Sequence, residues 1–69
     1  MLKIKDNVDL KELEKFGFYK EFDYYEGYDI IVDCYSREIE VYEGGEEKLF
    51  DIIQAGLVEK VSSTNGQNE

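Results

Sequence analysis

FYKEFDYYEGYDIIVDCYSREIEVYEGG, residues 18–45, decides the fold, because alternation with a period of two runs through nearly all of it. Phe18, Lys20, Phe22 and Tyr24 share one parity, and Tyr19, Glu21, Asp23 and Tyr25 share the other, so the run from Phe18 to Tyr25 is predicted to be a strand. Glu26-Gly27 supplies a turn pair. Tyr28 to Tyr35 (YDIIVDCY) is rich in β-branched and aromatic residues and forms a second strand, with Tyr28, Ile30, Val32 and Cys34 facing inward. After a turn at Ser36-Arg37, Ile39 and Val41 alternate with Glu38, Glu40 and Tyr42 in a third strand that ends at Gly44-Gly45. Joined by short turns, the three strands make an antiparallel meander.

Upstream, Asp9 precedes Glu12 by the spacing of a capping box. Leu10, Leu13 and Phe16 follow at helical spacing, which predicts a short helix from Leu10 to Phe16. Gly17 falls where a left-handed cap would end that helix, and Phe18 can fold back on its last turn. Leu2 and Ile4 alternate with Lys3 and Lys5, suiting a short edge strand or an extended arm. Downstream, Glu46-Glu47 place negative charge at a helix start, and Leu49, Phe50, Ile52 and Ile53 form its apolar stripe. The second helix therefore runs from about Glu46 to Ala55, before Gly56. Leu57, Val58 and Val61 continue as a final strand or an extended segment on the core. The endings EKFGF and IQAGL share capping physics without making a true repeat. Residues 62–69 (SSTNGQNE) have no apolar side chain to offset their ordering entropy and are expected to be a disordered tail. The expected architecture is a single α+β domain over residues 1–61: a three-stranded antiparallel sheet with both short helices packed on one face, in the order α-β-β-β-α, and an optional N-terminal edge strand.

The chain has 69 residues, and one domain of that size buries only about 60% of the surface its unfolded form exposes. With 42% hydrophobic and 14% aromatic residues it is too apolar for a disordered acidic chain. No apolar run approaches the ~18 residues that cross a bilayer, and no secretory apolar stretch opens the sequence, so an intracellular, cytoplasmic location is expected. The single cysteine, Cys34, cannot form an internal disulfide, and without histidine no zinc set is assembled.

Net charge is -9, and its distribution is uneven. Residues 21–47 hold ten of the 17 acidic residues and one of the 8 basic ones, Arg37, so the centre carries the whole imbalance. Direct binding to nucleic acid or an anionic membrane is disfavoured, and basic or neutral protein surfaces are the expected partners. Strand parity places Phe18, Phe22, Tyr24, Ile30, Val32, Ile39 and Val41 toward the helices. The opposite face then displays Tyr19, Glu21, Asp23, Tyr25, Asp29, Ile31, Asp33, Tyr35, Glu38, Glu40 and Tyr42, interleaving six acids with four tyrosines. Tyrosine offers rigid amphipathic contact area and flanking carboxylates select a Lys/Arg-rich partner, so these tyrosines and acids are the candidate partner-binding residues. The competing account is a solvated sheet face on which tyrosines serve cross-strand pairing.

Other chemistries fare worse. Asp29 and Asp33, four apart on a strand with Asp23 across the hairpin, have the oxygen ligands of a hard-cation site but no calcium-loop pattern. Paired carboxylates for acid/base catalysis need a pocket that shifts their pKa values, which a core this small scarcely provides. Cys34 shares the inward parity of Ile30 and Val32 and lacks an activating base, and Gly44-Gly45 lacks the lysine-serine pair of a phosphate loop. Neither enzyme activity nor a cofactor or metal is expected.

Three stretches, VDLKELEKFGF (8–18), IIVDCYSREIEV (30–41) and LFDIIQAGLVEKV (49–61), resemble small acidic uncharacterised proteins encoded by phages and prophages of Gram-positive bacteria. The resemblance covers about half the chain and its motifs are structural, so it carries over no catalytic residue. It implies a context in which such proteins act by binding, some inhibiting host defence complexes such as CRISPR effectors and others redirecting host replication or transcription proteins. The chain's own acidity separately raises a nucleic-acid-mimic reading, in which carboxylates stand in for phosphates. The expectation is a non-enzymatic protein, monomeric or weakly dimeric, that docks on a basic host or phage protein inside the bacterial cell. The alternative is a structural or self-associating protein.

Overall fold

The computed structural model describes residues 1–61; the expected disordered tail, 62–69, lies outside the described residues. The fold is α+β, with strands β1 (Leu2–Ile4), β2 (Tyr19–Lys20), β3 (Tyr24–Gly27), β4 (Ile30–Asp33), β5 (Ile39–Val41) and β6 (Val58–Lys60). A 3-10 helix spans Leu10–Phe16 and one α-helix, α1, spans Glu46–Gln54. The sheet is larger than the expected three-stranded meander: β2, β3, β4 and β5 form a four-stranded antiparallel sheet in sequence order, and β1 pairs with β6 in a second, two-stranded sheet. A single bridge, Lys3 to Glu38, brings β1 alongside the start of β5.

The helix ends carry the expected caps except for the reciprocal half of the Asp9…Glu12 capping box, because the Glu12 carboxylate pairs with Lys15 instead. The Asp9 carboxylate accepts from the Lys11 N–H at the start of the 3-10 helix. At its end Gly17 takes φ 97°, its N–H donates to the Glu14 carbonyl, and the Phe18 N–H donates back to the Leu13 carbonyl at 3.2 Å. Gly56, φ 83°, repeats this after α1: its N–H donates to Ile53 and the Leu57 N–H to Ile52 at 3.2 Å. In each case the residue after glycine is buried against the residue that accepts from it, the hydrophobic closure of a Schellman ending.

The hairpins depart from expectation. Phe18–Tyr25 is not one strand, because the chain reverses over Phe22-Asp23, with the Glu21 N–H donating to the Tyr24 carbonyl at 2.8 Å. Glu26 and Gly27 lie inside β3 rather than in a turn, and the reversal comes at Tyr28-Asp29, both with positive φ (54° and 61°). Two positive φ values define the type I′ turn that matches strand twist, a turn that Asn-Gly ordinarily marks. Here tertiary contacts hold an unfavourable pair. The Tyr28 ring sits edge-on to Phe18 with centroids 5.8 Å apart, lies over Gly17, and carries Lys48 Nζ 4.3 Å above its centre. The Asp29 carbonyl accepts from the Tyr42 N–H at 2.8 Å. Tyr28 is therefore an exposed turn residue, not an inward strand residue.

The register corrects the expected faces. Across a two-residue turn, paired residues carry numbers of opposite parity, so an inward even-numbered set on β4 requires an odd-numbered one on β3. Tyr25 pairs with Val32 and Val32 with Ile39, making one inner row; Gly27, Ile30 and Val41 make another. Tyr25 is consequently buried, although it was expected on the outer face. Phe22 and Tyr24, expected inside, are respectively a fully exposed loop residue and a half-buried residue of the outer face. The core joins Ile4, Leu13, Phe18, Tyr25, Ile30, Val32, Ile39, Ile52 and Leu57, so both helices cover the inner face, with Cys34 packed at its margin. Fully burying each large side chain of this set contributes roughly 1.5–3 kcal/mol.

Candidate functional site

On the outer face the register aligns two transverse rows. Tyr19, Glu26, Ile31 and Glu40 form one, and Tyr24 and Asp33 form the other, which Glu38 extends through the bond from the Asp33 N–H to its carbonyl. The four-stranded sheet is hollowed here. Met1, Asp23, Tyr24, Ile31, Asp33, Ser36, Glu38 and Glu40 line a concavity of about 510 Å³. Its floor is apolar and aromatic, through Ile31 and Tyr24, and its rim holds four carboxylates.

Among the described residues, no lysine or arginine side chain forms an ion pair with that rim: the ion pairs are Lys3 with Asp6 and Glu59, Lys15 with Glu12, and Lys48 with Asp51. Arg37 is held inward instead: with backbone φ 67°, its Nη1 donates to the Lys5 and Val8 carbonyls at 2.7 Å each, tying the N-terminal loop to the β4–β5 loop. Backbone at positive φ is strained for a side chain of this size, and these two bonds together with the bond from the Ile4 N–H to the Arg37 carbonyl hold it there. The one base of the acidic centre therefore serves the fold.

The ionisable groups respond to this field. The Tyr24 hydroxyl is pushed above the ordinary tyrosine value, first by partial desolvation and then by the charges of Glu26, Glu21 and Asp23. Tyr42 donates to Glu40 at 3.2 Å, and that carboxylate's charge holds its hydroxyl above the ordinary value too. Asp33 moves the other way. The Ser36 and Tyr35 N–H groups donate to its Oδ1 at 2.9 and 2.7 Å, and these bonds hold its carboxyl below the usual range despite partial desolvation. Asp33 thus both caps the β4–β5 loop and lines the hollow.

The ten candidate partner-binding residues separate into groups. Asp23, Asp33, Glu38 and Glu40 meet in the hollow. Tyr19 shares their face at the β2 edge, and Tyr42 adjoins Glu40. Glu21 and Tyr35 lie in the β2–β3 and β4–β5 loops at one end of the sheet, whereas Asp29 sits in the β3–β4 turn at the other. Tyr25 leaves the site altogether: it is buried and its hydroxyl donates to Glu14 at 3.1 Å. The sequence reading missed Tyr24, assigned inside, and Met1 and Ser36; hairpin parity was the signal that would have found Tyr24. The carboxylate trio weighed as a hard-cation site does not assemble, since Asp29 is across the sheet from Asp23 and Asp33, and among the described residues no Cys, Asp and Glu groups cluster to hold a metal ion. No helix among the described residues is long and apolar enough to cross a membrane. No protein family, curated protein or solved structure matches this chain.

Proposed function

We propose that this protein is a small non-enzymatic binding module that docks on a basic protein through the outer face of its four-stranded sheet. One observation carries the reading: four carboxylates surround a hollow with an aromatic floor, and the only arginine nearby points into the fold. Carboxylates on adjacent strands repel one another, which lowers stability unless a partner supplies the missing cations. A Lys/Arg-bearing surface meets that need, gains apolar contact with Tyr24 and Ile31, and is steered by the field of the acidic centre. In the bacterial context that the sequence resemblance implies, such partners include defence and nucleic-acid-handling proteins of the host cytoplasm.

The test is retention of proteins from bacterial lysate on the tagged protein, against Glu38→Lys/Glu40→Lys, at low and at high salt. A basic protein held at low salt, released at high salt and not held by the charge-reversed protein supports the proposal. Equal retention by both proteins would overturn it. Asp33 is left intact because its carboxylate caps a loop.

A further inference from the structure

The two most exposed aromatic side chains are Phe22, 95% exposed, and Tyr35, 83% exposed. Neither contributes to the core, yet the topology brings their loops together. The β2–β3 and β4–β5 loops leave the same end of the sheet, and the Cys34 N–H donates to the Asp23 carbonyl at 2.8 Å, joining one loop to the other. Each loop is internally fixed, by the Glu21 to Tyr24 bond in one and by the Asp33 cap in the other. Asp23 and Ser36, which flank the two aromatics, also line the acidic hollow, so this end of the sheet continues the outer face.

We infer that this loop end is the anchoring tip of the docking surface, with Phe22 and Tyr35 entering an apolar cleft on the partner whose rim carries lysine or arginine. The inference rests on the proposed docking function and adds to it the residues that supply affinity. Rigid aromatic side chains dominate binding energy where they become fully desolvated, whereas rim charges chiefly govern approach and register. A solvent-exposed phenylalanine gains from leaving water, and loops already held by hydrogen bonds lose little freedom on binding. Charge complementarity fixes the occupant's chemistry. Glu21, Asp23 and Asp33 surround the tip, so a partner cleft must present cations, and a second copy of a chain at net charge -9 would be repelled.

The probe is a synthetic amphipathic Leu/Lys helix of about 14 residues, which offers an apolar face rimmed by ammonium groups, titrated into the uniformly ¹⁵N-labelled full chain. The expected result is amide shifts concentrated at residues 21–24 and 34–37, with binding at least tenfold weaker for Phe22→Ala/Tyr35→Ala, whose exposed positions leave the fold's spectrum unchanged. Shifts spread over Ile31, Glu38 and Glu40 with unchanged affinity in the double variant would overturn the anchoring role and leave the docking proposal standing. Absence of binding at low salt would overturn both. Concentration-dependent mass of the free protein, lost in the double variant, would assign the tip to self-association and overturn the inference.

Discussion

On the inner face of the four-stranded sheet, Tyr25 is 3% exposed, packs in the row with Val32 and Ile39, and donates its hydroxyl to Glu14. One residue earlier, on the outer face, Tyr24 pairs with Asp33 and floors an acidic hollow. The same side chain thus does two jobs, and the pleat alone separates them. On the inner face it supplies apolar burial; on the outer face it lies among carboxylates whose repulsion weakens the fold. The two faces should therefore answer differently to the same substitutions. Tyr25→Ala should cost about 3–5 kcal/mol, the range for removing a buried aromatic. Tyr24→Ala should cost less than about 1 kcal/mol, the scale of an outer-face cross-strand pair, and urea unfolding of both variants measures the gap. Equal losses would mean that the register of β3 is not the one described.

The two helix endings offer a second contrast. Gly17 and Gly56 share conformation and hydrogen-bond pattern, but a Cβ at Gly17 would strike the Tyr28 ring whereas one at Gly56 would meet nothing within 4 Å. Gly56→Ala should cost ~1–2 kcal/mol, the penalty of a left-handed residue. Gly17→Ala should cost more, because it must also displace Tyr28 from Phe18 and Lys48 and so loosen the β3–β4 turn. Thermal denaturation of the two variants in the same buffer checks the order.

A smaller effect isolates the polar part of Tyr25. Burial and the Glu14 carboxylate both push its hydroxyl above the ordinary tyrosine value. The folded form therefore favours the protonated phenol, a contribution fully present below the unfolded pKa of about 10 and lost as pH rises through the folded value. Tyr25→Phe should cost about 1 kcal/mol near neutrality. The variant's stability should also fall less steeply than the wild type's above pH ~10, as followed by urea midpoints across pH.

What could be read from the sequence follows from how local each signal is. The helix ends were legible because Asp9-x-x-Glu12, Gly17-Phe18 and Gly56-Leu57 are signals complete within a few residues. Ile30, Val32, Ile39 and Val41 were placed correctly because an isolated alternation fixes which residues share a face. The faces expected for β3 failed for a reason independent of where the chain reverses. A two-residue turn at Glu26-Gly27 or at Tyr28-Asp29 alike pairs residues of opposite parity, so the even-numbered inner set on β4 already requires Tyr25, not Tyr24, inside. Gly27 drew the turn to Glu26-Gly27, whereas the type I′ turn was settled at Tyr28-Asp29 by Phe18, Lys48 and Tyr42, residues distant in sequence. The reversal at Phe22-Asp23 was hidden for a related reason, since aromatic alternation continues unbroken through it. Five members of the hollow were nevertheless anticipated on the outer face, because Asp23, Ile31, Asp33, Glu38 and Glu40 keep their outward or loop positions under either register. Arg37 turning inward was not legible at all: its partners are the carbonyls of Lys5 and Val8, which no side-chain pattern reports.

The weakest expected effects also lie on the outer face, and their signs are what matter. Glu38 and Glu40 sit among like charges without a paired base, so Glu38→Gln/Glu40→Gln should raise stability by about 0.2–1 kcal/mol at low salt and by nearly nothing at high salt. Asp33 shares their hollow but accepts two backbone N–H bonds that hold its folded pKa below the unfolded value. Its carboxylate accordingly contributes stability above the unfolded pKa, and that contribution disappears as pH falls through the folded one. Asp33→Asn should therefore lower the melting temperature at neutral pH, and the difference from wild type should close as the solution is acidified below pH ~4. Carboxylates within one hollow would then have opposite effects on the fold: Glu38 and Glu40 weaken it, while Asp33 builds the loop that presents Tyr35. Stabilisation by Asp33→Asn at neutral pH would instead make all three carboxylates alike and remove the loop-capping role of Asp33.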